Sequence, residues 1–109
     1  MLLCVPIRGD GSIDPRWGRA DRLAVAEVVS GVIASWHEVD VSWDELHDQG
    51  TEGAHHARVV SFLREQGIEA VVADHMGGPM LHTLGKMGIE VHLQATGNAR
   101  AAILAAATG

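Results

Sequence analysis

The chain opens on an unbroken apolar run. Leu2-Leu3-Cys4-Val5-Pro6-Ile7 offers no polar position to turn toward water, and it stops at the turn signal Arg8-Gly9-Asp10-Gly11. A β-prone run without polar alternation is the pattern of a strand buried on both faces. Such a strand belongs at the centre of a sheet, and the rest of the chain must supply cover above and below it.

The remaining pattern does so. Residues 23–29 and 32–41 are further β-prone runs joined by Ser30-Gly31, a two-residue hairpin signal, so they pair antiparallel. Residues 42–53 lose periodicity and gather acid at Asp44, Glu45, Asp48 and Glu52, which reads as a mobile connection. Helix and strand then alternate. A helix is predicted over 53–66, with Val59, Val60 and Leu63 on one side and Gly67 as its stop. A strand follows over 68–73. Gly77-Gly78-Pro79 opens a second helix running to Met87, with Gly78 as cap and Pro79 in the first turn. The last strand covers 89–93, and an alanine-rich helix over 99–107 is capped by Thr96 or Asn98. Two βα units after a hairpin predict a three-layer α/β domain with a mixed sheet.

Composition narrows the function. A formal charge of −6 argues against general nucleic-acid binding, which needs a basic face to replace the counterions of phosphate. Cys4 is the only cysteine, so no disulfide framework exists and the expected compartment is the cytoplasm. No apolar run approaches the ~20 residues that span a bilayer, and no leader pattern precedes Cys4.

Ligands of such sheets collect beyond the carboxyl ends of parallel strands. That rule selects residues 8–20, 74–80 and 94–97. In the first, Pro15 stiffens the backbone ahead of Arg16-Trp17-Gly18-Arg19. Trp17 supplies a rigid platform, Gly18 permits close approach or positive φ, and Arg19 offers a planar donor fork for an anion. The other two loops run into helix N-termini, where unpaired N–H groups favour negative charge. Gly77-Gly78 and Thr96-Gly97 lie there. The glycines lack the spacing of a nucleotide fingerprint and serve equally well as plain caps. Softer donors stand close by: His75, Met76, Met80 and His82 around one helix start, with Cys4 facing the same layer. Imidazole, thioether and thiolate suit iron, copper or zinc. His55 and His56 occupy the first turn of the preceding helix, where an imidazole stays neutral and able to ligate. Their side chains diverge by about 100°, so one of them faces the sheet and the pair does not chelate a single ion. His37, His47 and His92 have no companions in the pattern. No nucleophile and base pair can be named, HExxH and CxxC are absent, and the first strand carries no acid for a nuclease of the ribonuclease H kind.

Several short elements in order carry a resemblance that covers nearly all 109 residues. They are Val5-Pro6, Trp17-Gly18-Arg19-Ala20, the histidine-bearing helix start before Val59-Val60, Gly77-Gly78-Pro79, Gly88-Ile89-Glu90-Val91 and Thr96-Gly97. The chain resembles the nitrogenase accessory factor family, the dinitrogenase iron-molybdenum cofactor biosynthesis domain, which includes NifX-like carriers, the C-terminal domain of NifB-like proteins and a molybdenum-copper orange-protein branch. The resemblance implies one domain over 1–109 with a ribonuclease H-like fold, a five-stranded sheet and three helices. It implies a non-enzymatic carrier of an iron-sulfur, iron-molybdenum or molybdenum-copper cluster, with cluster donor and acceptor proteins as partners. Arg16, Trp17, Gly18, Arg19, Gly77, Gly78, Thr96 and Gly97 would contact the cluster, and His55, His56, His75, Cys4 and Met80 are candidate ligands. The competing expectation is a redox or regulatory module that binds a plain metal ion, or a partner protein through Trp17, Trp36 or Trp43.

Overall fold

The computed structural model describes residues 1–46 and 48–108; His47 and Gly109 lie outside the described residues. Five strands form one sheet in the order β3-β2-β1-β4-β5. β1 (Leu2–Ile7) is central as its composition requires, antiparallel to β2 (Arg22–Val29) and parallel to β4 (Ala70–Val72). β3 (Val32–Asp40) closes one edge antiparallel to β2, and β5 (Glu90–His92) closes the other parallel to β4. The β2–β3 turn places Ser30 at φ 52° and Gly31 at φ 77°. Positive φ at both central residues is the hairpin geometry whose twist matches the strands.

Alternation along the strands sorts the core into two layers. Leu3, Val5, Ile7, Ala24, Ala26 and Val72 meet Ala99 and Ile103 of α4 (Ala99–Thr108). Cys4, Leu23, Val25 and Val71 point the other way, toward Val59 and Leu63 of α2 (Glu52–Gln66) and Met80 and Leu84 of α3 (Gly78–Lys86). Thr51 Oγ1 caps α2 by accepting from Ala54 N at 3.0 Å, and Gly67 ends it in the left-handed region at φ 68°. Asn98, rather than Thr96, caps α4: its Oδ1 accepts from Ala101 N at 2.9 Å. At α3 the cap is Gly77, one residue earlier than expected, and Gly78 is already helical.

The acidic connection departs most from expectation. Trp43–Leu46 forms a short helix, α1, and Trp43 is 1% exposed. Its indole packs edge-to-face on Trp17 at 5.6 Å and on Phe62 at 5.8 Å. Trp43 N and Ser42 N donate to the Ala20 and Asp21 carbonyls, so this stretch is fastened to the start of β2. Large apolar burial outweighs the polarity of the neighbouring acids.

Beyond Ile7 the chain crosses the carboxyl end of the sheet. Pro6 lacks an N–H to donate, and its carbonyl accepts from Asp14 N at 2.9 Å instead. On the α4 side, Ser12 bridges to Asn98 and Ile13 N donates to the Gly97 carbonyl. On the opposite side, Arg16 bridges in parallel to His75, just after β4. The loop is thereby tied to both post-strand connections, one on each face.

Candidate functional site

On the α2/α3 face these ties enclose an open cleft of about 360 Å³. One wall is the single 3-10 turn Trp17–Arg19 with Arg16 ahead of it. A second is the first turn of α2, with Glu52, His55 and His56, and the third is the entry to α3, from His75 to Met80. Ten of the residues expected from sequence meet here or sit at its border: Arg16, Trp17, Gly18, Arg19, His55, His56, His75, Gly77 and Met80 line the cleft, and Gly78 begins the helix that borders it.

Three do not. Thr96 lines a separate groove between β5 and α4, and Gly97 lies in the same connection, because the crossing from β5 to α4 leads to the opposite face. The rule that gathers loops at the carboxyl ends of strands does not say which side each loop takes. Cys4 faces the correct layer but is fully buried beside Val25 and Val71, and it does not line the cleft. Desolvation pushes its thiol pKa far above the ordinary value, so it sits as a neutral small apolar group. His82 is exposed outside the cleft.

The two arginines are held differently. Arg16 donates through Nε and Nη2 to the two carboxylate oxygens of Asp14, each at 3.2 Å, while its backbone N–H donates to Asp14 Oδ1 at 2.9 Å. Asp14 is 3% exposed, and its hydrogen bonds raise the Arg16 pKa further. Arg16 is thus clamped by a buried partner. Among the described residues Arg19 pairs with Asp48, at 3.6 Å, with both side chains largely in water. Such an exposed pair is worth no more than about 1 kcal/mol.

The adjacent histidines also divide. His55 is buried, with Nδ1 2.7 Å from Arg58 Nη1 and Nε2 2.8 Å from the Gly18 carbonyl. A guanidinium has only protons to offer, so Nδ1 accepts and Nε2–H donates. Both ring nitrogens are committed, and His55 braces the 3-10 turn from below while its ring edge packs on Trp43. His56 is half-buried and lies 3.0 Å from Thr83 Oγ1 through Nε2. The Thr83 hydroxyl gives its proton to the Pro79 carbonyl, so His56 Nε2–H donates to it and Nδ1 keeps its lone pair, without a partner among the described residues. His75 is exposed, and Met76 lies partly buried beside it.

Trp17 is 4% exposed, with its Nε1 enclosed and without a partner among the described residues. With Trp43 it belongs to the core, which removes both from any partner-binding surface. Trp36 lies on the other face, beneath Arg100 at 4.3 Å. Gly18 has no positive φ, and a Cβ there would meet only His55 Nε2 at 3.9 Å, an ordinary contact; its carbonyl, not its missing side chain, does the work. Asp14, Asp48, Glu52 and Arg58 were not selected from sequence. Asp14 alone had a local signal, an Asp two residues before the N–H that it caps.

Fold and cleft together define a small α/β domain with an open cleft built from loops at the carboxyl end of a mixed sheet. The sequence profile of the dinitrogenase iron-molybdenum cofactor family matches residues 1–109, and the chain belongs to that family. No curated protein sequence matches significantly. Among solved structures, the chain is similar to PH0822, with a TM-score of 0.79 and 18% identity over 100% of this chain and 90% of that one. The apo form of the orange protein from Desulfovibrio gigas aligns with a TM-score of 0.77 and 20% identity, covering 99% and 88% of the two chains. A Thermotoga protein described as NifB-like and of the DUF35 family aligns with a TM-score of 0.70 and 22% identity, covering 99% and 88%. Among the described residues no helix is long and apolar enough to cross a membrane.

Proposed function

We propose that this protein binds and carries an anionic metal-sulfur cluster, of the iron-sulfur, iron-molybdenum or molybdenum-copper kind, in the cleft between the 3-10 turn and the starts of α2 and α3. The observation that carries the reading is the convergence of three complementary groups on one open cleft. Arg19 is a weakly held guanidinium, His56 has one ring nitrogen without a partner among the described residues, and the start of α3 offers the Gly78 and Met80 N–H groups, which precede the first helical hydrogen bond.

Among the described residues no three His, Cys, Asp or Glu side chains gather to form a metal site. Permanent clusters are held by several thiolates. Recognition here would rest on charge, amide donors and at most one or two soft ligands, which suits cargo that is received assembled and passed on. His56 and His75 are the ligand candidates, with Met76 and Met80 alongside, and catalysis has no assigned nucleophile. Its partners would be the donor and acceptor of that cargo.

Anaerobic titration with tetrathiomolybdate, and reconstitution with iron and sulfide, test the reading through metal content and visible absorption. Uptake of one cluster equivalent by a protein that purifies colourless in air is expected. Arg19→Ala should lower uptake while changing stability by no more than ~0.5 kcal/mol, since it truncates an exposed side chain. Tightly held iron and sulfide after aerobic purification, or normal uptake by Arg19→Ala, would overturn it.

A further inference from the structure

We infer that Asp48 is a built-in competitor for the cleft: its carboxylate occupies Arg19 when the cleft is empty, and an anionic ligand must displace it. This rests on the anion-binding reading above and adds a gate to it. Of the two cleft arginines, Arg16 is held through Nε and Nη2 by the buried Asp14 carboxylate, whereas Arg19 is paired at 3.6 Å with a residue that is 74% exposed. The first pair is fixed by three hydrogen bonds. The second joins two side chains that lie largely in water.

Position strengthens the argument. Asp48 stands between α1 and the Thr51 cap of α2, on a short connection held to the domain by Gln49 N donating to the Leu46 carbonyl at 3.0 Å. The Leu46 carbonyl also accepts from Arg58, which touches the His55 brace. When Asp48 leaves Arg19, the guanidinium turns to the incoming ligand. A monoanion gains little from this exchange because it replaces one unit charge by another. A di- or trianion gains more from Arg19, and the cost of opening the pair, equal for every ligand, leaves weakly bound monoanions such as chloride unable to occupy the cleft.

Equilibrium binding of tetrathiomolybdate, measured anaerobically at low salt, tests the gate. Asp48→Asn should tighten binding two- to fivefold, the ratio that an exposed ion pair supports. Glu45→Gln removes the same charge from the same segment without touching Arg19, and should give a clearly smaller gain. In an Arg19→Gln background the Asp48→Asn advantage should shrink to that of Glu45→Gln. Equal effects of Asp48→Asn and Glu45→Gln, or a gain that persists without Arg19, would sink the gate. If wild type takes up no tetrathiomolybdate, the cargo reading fails instead. The gate is then decided by hydrogen exchange at the Gln49 amide, which Arg19→Gln and Asp48→Asn should each speed two- to fivefold, and which stays unchanged if no latch exists.

Discussion

Two adjacent histidines, one turn into α2, do different work, and their difference is testable. His55→Ala strands the Gly18 carbonyl, removes the acceptor that Arg58 has beside the Leu46 carbonyl, and opens space under Trp43. Loss of a buried hydrogen-bonded group costs about 1–3 kcal/mol, so urea unfolding should shift markedly. His56→Ala should leave unfolding within about 1 kcal/mol of wild type and weaken tetrathiomolybdate uptake. The reverse pattern would make His55 the ligand and His56 the brace. Sequence reasoning reached the divergence of the pair, because helical geometry fixes it. It could not tell which residue faces inward, since that depends on where the Gly18 carbonyl and Arg58 arrive in space.

Cys4 gives a second residue-scale prediction. Burial raises its pKa in the folded state, so the unfolded chain ionises first as pH rises. The unfolded state then binds fewer protons, and stability is full below the unfolded thiol pKa of about 8.5 and falls above it by up to ~1.4 kcal/mol per pH unit. Cys4→Ala should flatten that alkaline limb. The native thiol should also resist maleimide at about pH 8 and react once denatured. Rapid native labelling would show that Cys4 is accessible and restore it as a ligand candidate.

At the scale of elements, periodicity and punctuation were enough for the regular parts. Gly67 in the left-handed region, Ser30-Gly31 in the hairpin and Pro79 in the first turn of α3 are each local choices with one physical reading. The stretch around Trp43 failed because its acids are exposed on a four-residue helix while one indole supplies the anchoring. Four residues are too few to show a helical period. Trp43→Ala should therefore cost about 3–5 kcal/mol, as for other large buried aromatics, and Trp43→Phe distinctly less. Thermal or urea unfolding measures both, and a loss under about 1 kcal/mol for Trp43→Ala would mean that the α1 segment is peripheral after all. Asp14 makes a parallel case at the first loop. Asp14→Asn should release Arg16 and loosen the bridge to His75, lowering both stability and uptake, whereas Asp44→Asn should spare the fold.

For the whole molecule, the topology was legible and the division of loops between faces was not. Ordering the strands from the hairpin and two βα units requires only short, right-handed connections. Assigning Thr96-Gly97 to the cleft requires knowing on which side α4 packs, and its alanines and Ile103 carry no marker that distinguishes one face of β1 from the other. The loop from β1 bridges to both sides, through Asn98 and through His75.

The three indoles are also segregated by the sheet. Trp17 and Trp43 pack edge-to-face beside the cleft, while Trp36 lies beneath Arg100 on the far side. Replacing Trp36 with phenylalanine would leave a protein whose ultraviolet emission comes from the cleft side alone. A coloured guest absorbing in the near ultraviolet would dim that emission by energy transfer across a few ångströms. The chain thus carries its own optical gauge of occupancy, which needs no attached dye and reads filling and emptying in real time.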